Sequence, residues 1–145
     1  MSGETGIRVV VGFDGSPDAE RAVDVAARQA AAIGARLEVV HSYDYPYLER
    51  LDAGTRALLR DRAAAVAESG AERARAAVPT LVVDAVVAVG EPARVLVERA
   101  AGAALLVVGH RGHNAAHHRM LGSVASKCVH HAPASVLVVR ETARP

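Results

Sequence analysis

Three glycines and a serine in the C-terminal half, Gly109, Gly112, Gly122 and Ser123, follow the spacing Gly-x2-Gly-x9-Gly-Ser. Their chemistry is that of an anion cradle. Glycines let bare backbone N–H groups approach a ligand. Gly122-Ser123 stands where a helix begins, so unpaired N–H groups and the positive helix end face the same space. The N–H groups of Gly112, Gly122, Ser123 and Val124, with the Ser123 hydroxyl, are the expected phosphate donors. Gly109, directly after Val108, lets the ligand come close to the end of the preceding strand. The loop is not a Walker phosphate loop, because no glycine here precedes a lysine. Nor is it the usual dinucleotide fingerprint, which follows the first strand of such a sheet.

Asp14, in Gly12-Phe13-Asp14-Gly15-Ser16, is the second chemically notable residue. It suits two tasks, orienting a ligand or its phosphate-bound Mg²⁺, and tying its own turn through backbone N–H groups. A phosphoacceptor domain would need paired acids beside it, and Gly12 and Phe13 stand there instead. The x9 segment is rich in histidine: His113, His117 and His118, with His110 just before. No cysteine or carboxylate lies between Gly109 and Gly122 to complete a zinc site, so these read as loop histidines whose protonation strengthens phosphate binding as pH drops from about 7.5 to 6. Arg111 and Arg119 read as loop charges, His130 and His131 as cations at a helix end. Tyr43, Tyr45 and Tyr47 read as loop aromatics, with stacking on a base as the alternative.

These residues need a frame. Arg8 to Phe13 is an apolar run of the kind buried on both faces of a sheet. Ser16, Pro17, Asp18 and Glu20 carry helix-start chemistry, and the helix runs to Ile33 with Ala19, Ala22, Val23, Ala26, Ala30 and Ile33 on one face. Leu37 to His41 is a strand, followed by a loop around Pro46. A long helix starts between Asp52 and Thr55 and runs to Ala77, burying Leu58, Leu59, Ala63, Val66, Ala67 and Ala74; Gly54 and Gly70 weaken its continuity. Leu81 to Val89 is a strand, Pro92 to Ala101 a helix and Leu105 to Val108 a strand. A helix from Ser123 to Ala132, with Val124, Ala125, Cys128, Val129 and Ala132 at helical spacing, precedes a last strand from Ser135 to Arg140. Alternating apolar strands and helices mean an α/β fold, a doubly wound parallel sheet covered on both faces. Periodicity leaves the strand orders 2-1-3-4-5 and 3-2-1-4-5 open.

The glycine spacing, together with Val9 to Ser16, Val39-Val40-His41, Val89-Gly90-Glu91-Pro92 and Ala134 to Val139, resembles the universal stress protein family along most of the chain. The resemblance implies a Rossmann-like sheet of order 3-2-1-4-5, in which strands one and four flank the switch point where such sheets bind ligands. It implies ATP as ligand, with Mg²⁺ on its phosphates near Asp14, and a homodimer paired through the last strand, Ser135 to Val139. The nucleotide-contacting set it points to is Gly12, Asp14, Ser16, Ser42, Val108, Gly109, Gly112, Gly122, Ser123 and Val124. Ser42 follows the strand-two histidine, where an aliphatic residue against the base is expected. Nothing in the loop aligns a water, so the expected task is regulatory nucleotide binding with slow or absent hydrolysis. The alternatives are a slow ATPase or pyrophosphatase-like enzyme using Asp14, and a nucleotide-free dimeric scaffold.

The totals agree with one domain over residues 1–145. Hydrophobic residues are 51% and charged residues 23%, with a formal net charge of +1, which suggests neither nucleic acid nor an acidic membrane as partner. The lone Cys128, the absence of a signal-peptide layout and the lack of a long apolar run lead to a cytoplasmic expectation.

Overall fold

Val9, Val10 and Val11 are all 0% exposed, and a strand whose every side chain is buried must lie inside a sheet with both faces covered. This is β1 (Arg8–Gly12) of a computed structural model that describes residues 6–111 and 121–141. Among the described residues the other elements are α1 (Pro17–Ile33), β2 (Arg36–Tyr43), α2 (Ala53–Ala77), β3 (Val83–Val89), α3 (Pro92–Arg99), β4 (Leu105–Gly109), α4 (Ser123–His131) and β5 (Val136–Val139), with a 3-10 turn at Leu48–Arg50. The five strands are parallel in the order β3-β2-β1-β4-β5, so the 3-2-1-4-5 arrangement holds.

The period-two alternation of each strand divides the core in two. Val9, Val11 and Val107 pack with Ala22, Ala26 and Ala30 of α1 and Ala71 and Ala74 of α2. Val10, Leu106 and Val108 pack on the other face with Val95 and Leu96 of α3 and Ala125 and Cys128 of α4. Alanine dominates the α1 and α2 faces because those helices lie close to the sheet. Gly70 carries this furthest: a Cβ there would sit 2.8 Å from the Phe13 ring and 2.9 Å from Val39. The glycine expected to weaken α2 is what lets it pass over Phe13 unbroken.

Several expectations shift. Leu58, expected on the buried face of α2, is 59% exposed. The 25 residues of α2 span about 37 Å, against about 26 Å for the eight of β2, so its first turns overhang the sheet. Ile33 and Val129, also expected in the core, are 45% and 49% exposed, each near the end of its helix. Tyr43 belongs to β2 rather than to the loop, because β3 pairs with it as far as Tyr43↔Val89. Leu81 precedes β3, its N–H held in a turn by the Val78 carbonyl.

Candidate functional site

At the switch point the loops after β1 and β4 diverge, and a cavity of about 340 Å³ opens there at the carboxyl ends of the strands. Its apolar wall comes from Gly12, Val40, Pro92, Leu96 and Val108, and its polar rim from Asp14, His41, Ser42, His110, Arg111 and Ser123. Of the residues expected to contact a ligand, Gly12, Asp14, Ser42, Val108, Gly109, Gly122, Ser123 and Val124 all line it. Gly112, with His113, His117, His118 and Arg119, lies outside the described residues.

Ser16 does not line the cavity. It is 3% exposed, and its hydroxyl accepts the Ala19 N–H at 3.2 Å as the cap of α1. The Ser16 N–H in turn donates to Asp14 Oδ1 at 3.0 Å, across Gly15, whose φ of +82° makes the turn possible. Asp14 therefore ties its own turn, with its carboxylate held at the cavity edge. No other acidic residue lines that cavity among the described residues. One carboxylate suits a Mg²⁺ whose remaining ligands are phosphate oxygens and water.

The Gly122 N–H, expected to face a phosphate, donates instead to the His110 carbonyl at 2.8 Å. This bond ties the residue before α4 to the residue after β4, and a Cβ at Gly122 would lie 3.0 Å from that carbonyl oxygen. Gly122 then serves as N-cap of α4 with no side chain to cap it. The first-turn N–H groups of Ser123, Val124 and Ala125 have no acceptor within the helix, and all three residues line the cavity. Open amides at a positive helix end are the kind of group that can hold an anion. Lys127 is turned away, 3.6 Å from Glu91, which caps α3.

Gly109 is also a point of close approach. A Cβ there would meet the Asp18 backbone at 3.0 Å. Asp18, read from the sequence as helix-start chemistry, does stand in the first turn of α1, but it has a second task that the sequence did not mark. It is 5% exposed, and its Oδ2 accepts the Arg111 N–H at 3.1 Å and lies 3.3 Å from Arg111 Nε. Its Oδ1 pairs with Arg21. His41 was not foreseen as a wall residue either. Its Nδ1 lies 2.9 Å from the Phe13 carbonyl, an acceptor, so Nδ1 carries a hydrogen. Pro92 and Leu96 could be placed only with the fold in hand, since α3 must lie across β1 for Leu96 to cover Gly12, where a Cβ would be 2.7 Å from it. No tyrosine lines the cavity, so Tyr43, Tyr45 and Tyr47 are loop and strand-end aromatics here. Cys128 lies on the buried face of α4, its thiol pushed up to about 11 by burial and, secondarily, by Glu91.

A doubly wound parallel sheet of order 3-2-1-4-5 with a cavity at its switch point defines a Rossmann-like α/β fold. Residues 7–140 match the universal stress protein family, and the chain belongs to it. It is 40% identical over 144 residues to a Thermus aquaticus universal stress protein, covering 91% of this chain and 97% of that one. A Mycobacterium tuberculosis universal stress protein is 36% identical over 138 residues, covering 92% of this chain but 45% of the longer protein. Among solved structures, a universal stress protein in complex with cAMP superposes with a TM-score of 0.71 at 34% identity, over 93% of this chain and 97% of that one. UspA from Lactobacillus plantarum gives 0.76 at 26% identity, over 92% and 97%.

Proposed function

We propose that this protein is a regulatory ATP-binding domain that holds its nucleotide at the β1/β4 cavity and turns it over slowly or not at all. The observation that carries this reading is the uncapped start of α4, where the N–H groups of Ser123 and Val124 border the cavity. The base lies against the apolar wall of Val40, Pro92 and Leu96, with Ser42 offering a polar edge. The phosphates run toward the start of α4 at Ser123, and Asp14 faces the Mg²⁺ they carry. The 34% identical relative solved with cAMP supports an adenine nucleotide as the class of ligand. Asp14 gives one oxygen to its own turn, which suits fixing a metal–phosphate group better than proton abstraction.

A cytoplasmic homodimer completes the proposal. β5 is an edge strand with Val136, Leu137 and Val138 only partly covered, and an uncovered edge invites pairing with a second copy. An unidentified protein partner would read the surface that the bound nucleotide sets. The test is to purify the protein without added nucleotide, denature it and weigh what is released. An adenine nucleotide near stoichiometric amount, with no steady release of phosphate on adding Mg-ATP, is the expected result. No adenine compound and no binding on titration would leave the dimeric scaffold standing instead. Multiple-turnover phosphate or pyrophosphate release lost in Asp14→Ala would make the protein an enzyme.

A further inference from the structure

We propose that Asp18 is a positioning residue for the anion end of the cavity, acting through Arg111; the inference rests on the nucleotide reading above. Asp18 touches the root of the glycine loop in three ways. Its backbone fills the space where a Gly109 side chain would be. Its Oδ2 accepts the main-chain N–H of Arg111 at 3.1 Å, fixing the residue with which the loop departs from the sheet. The same oxygen meets Arg111 Nε at 3.3 Å, fixing the side chain as well. Arg111 lines the cavity, and Asp18 does not.

A carboxylate close to a phosphate site would ordinarily repel the ligand. Here Arg21 covers Oδ1 and Arg111 covers Oδ2, so the acid is matched by two guanidinium groups and enclosed by them. A free arginine must give up its rotamer freedom to grip a phosphate. One already clamped at its main chain and at Nε loses less on binding, a preorganisation that converts to roughly five- to tenfold in affinity. The position of Asp18 in the first turn of α1 keeps this clamp at a positive helix end, which favours the carboxylate.

The clamp should matter for the phosphate tail and not for the nucleoside. We would titrate Mg-ATP and adenosine separately into the wild type, Asp18→Asn, Asp18→Ala, Arg111→Gln and the Asp18→Asn/Arg111→Gln double variant, with thermal melts alongside. Asp18→Asn keeps an acceptor oxygen and so protects the fold if Asp18→Ala does not. Expected are a loss of about five- to tenfold in ATP affinity for Asp18→Asn and for Arg111→Gln, adenosine affinity within about twofold of wild type, and a double variant no weaker than Arg111→Gln alone. Equal losses for ATP and adenosine would reduce Asp18 to a fold-stabilising acid and overturn the proposal. So would additive losses in the double variant, or unchanged or tighter ATP binding in Asp18→Asn. A wild type that binds neither compound overturns the nucleotide reading itself and takes this inference with it.

Discussion

The sharpest structural prediction concerns Gly70→Ala. In a solvated helix this exchange is favourable by about 0.5–1 kcal/mol, because glycine is the poorer helix former. At position 70 the added methyl would stand 2.8 Å from Phe13 Cδ2 and 2.9 Å from both Phe13 Cγ and Val39 Cγ1, nearly an ångström inside comfortable contact. Phe13 and Val39 are 6% and 0% exposed, so neither can yield freely. Overpacking of this kind costs about 1–3 kcal/mol, which outweighs the propensity gain and leaves a net loss of about 1–2 kcal/mol. For a chain of 145 residues that corresponds to a fall of about 3–6 °C in Tm. Gly54→Ala is the control within the same helix. Position 54 is exposed in the overhanging first turn, its nearest neighbour the Asp52 carboxylate at 3.3 Å, so its Tm should hold or rise slightly. Calorimetric melts of both variants decide the matter, and Gly70→Ala should cost less in a Phe13→Val background than in the wild type, the two changes coupling through the ring they share. If Gly70→Ala melts no lower than Gly54→Ala, the close passage of α2 over Phe13 is not real.

Other expectations follow from single contacts. Ser16→Ala removes the cap on Ala19 and should cost about 1 kcal/mol of stability in denaturant titration while leaving ATP affinity unchanged, since Ser16 is outside the cavity. Along β5 and the residue before it, the Ser135 carbonyl accepts Leu106 N–H and the Val139 carbonyl accepts His110 N–H, which places the N–H of Val138 on the outer edge. If the protein pairs through β5 as proposed, Val138→Pro should keep the protomer's ladder and halve the mass seen by light scattering; a dimer that survives the change would put the contact elsewhere. The thiol of Cys128 is raised from 9.0 to about 11, so above pH 9 the unfolded chain loses a proton that the folded one retains. Its contribution is fully present below about pH 9, and declines by about 2 kcal/mol as pH rises to 11. Cys128→Ser should flatten that part of the stability profile.

Much of this architecture is visible in the residues because the strands are buried on both faces. Val9 to Val11 and Leu106 to Val108 are apolar without interruption for that reason, and helix caps such as Ser16 and Asp52 declare themselves locally. The strand order is not local, and came from likeness to a family rather than from periodicity. At the site, the glycines mark themselves, but not what presses on them. Gly109 is constrained by the Asp18 backbone and Gly122 by the His110 carbonyl. Asp18 looked like a helix-start acid, and becomes buried only when Arg111, 93 residues away, folds against it. Leu58 has the right helical spacing for the core and lies where there is no sheet beneath it. Pattern tells which way a side chain faces along its own element, and only the assembled layers tell what it faces.

The central claim is that the open first turn of α4 grips the anionic tail of a nucleotide. Amide resonances of the ¹⁵N-labelled protein, followed through titration with Mg-ATP and then separately with adenosine, test it directly. The Ser123 and Val124 amides should move strongly with ATP and little with adenosine, while Val40 and Leu96 respond to both. Saturable ATP binding that leaves Ser123 and Val124 unmoved would contradict the account, even with the fold intact.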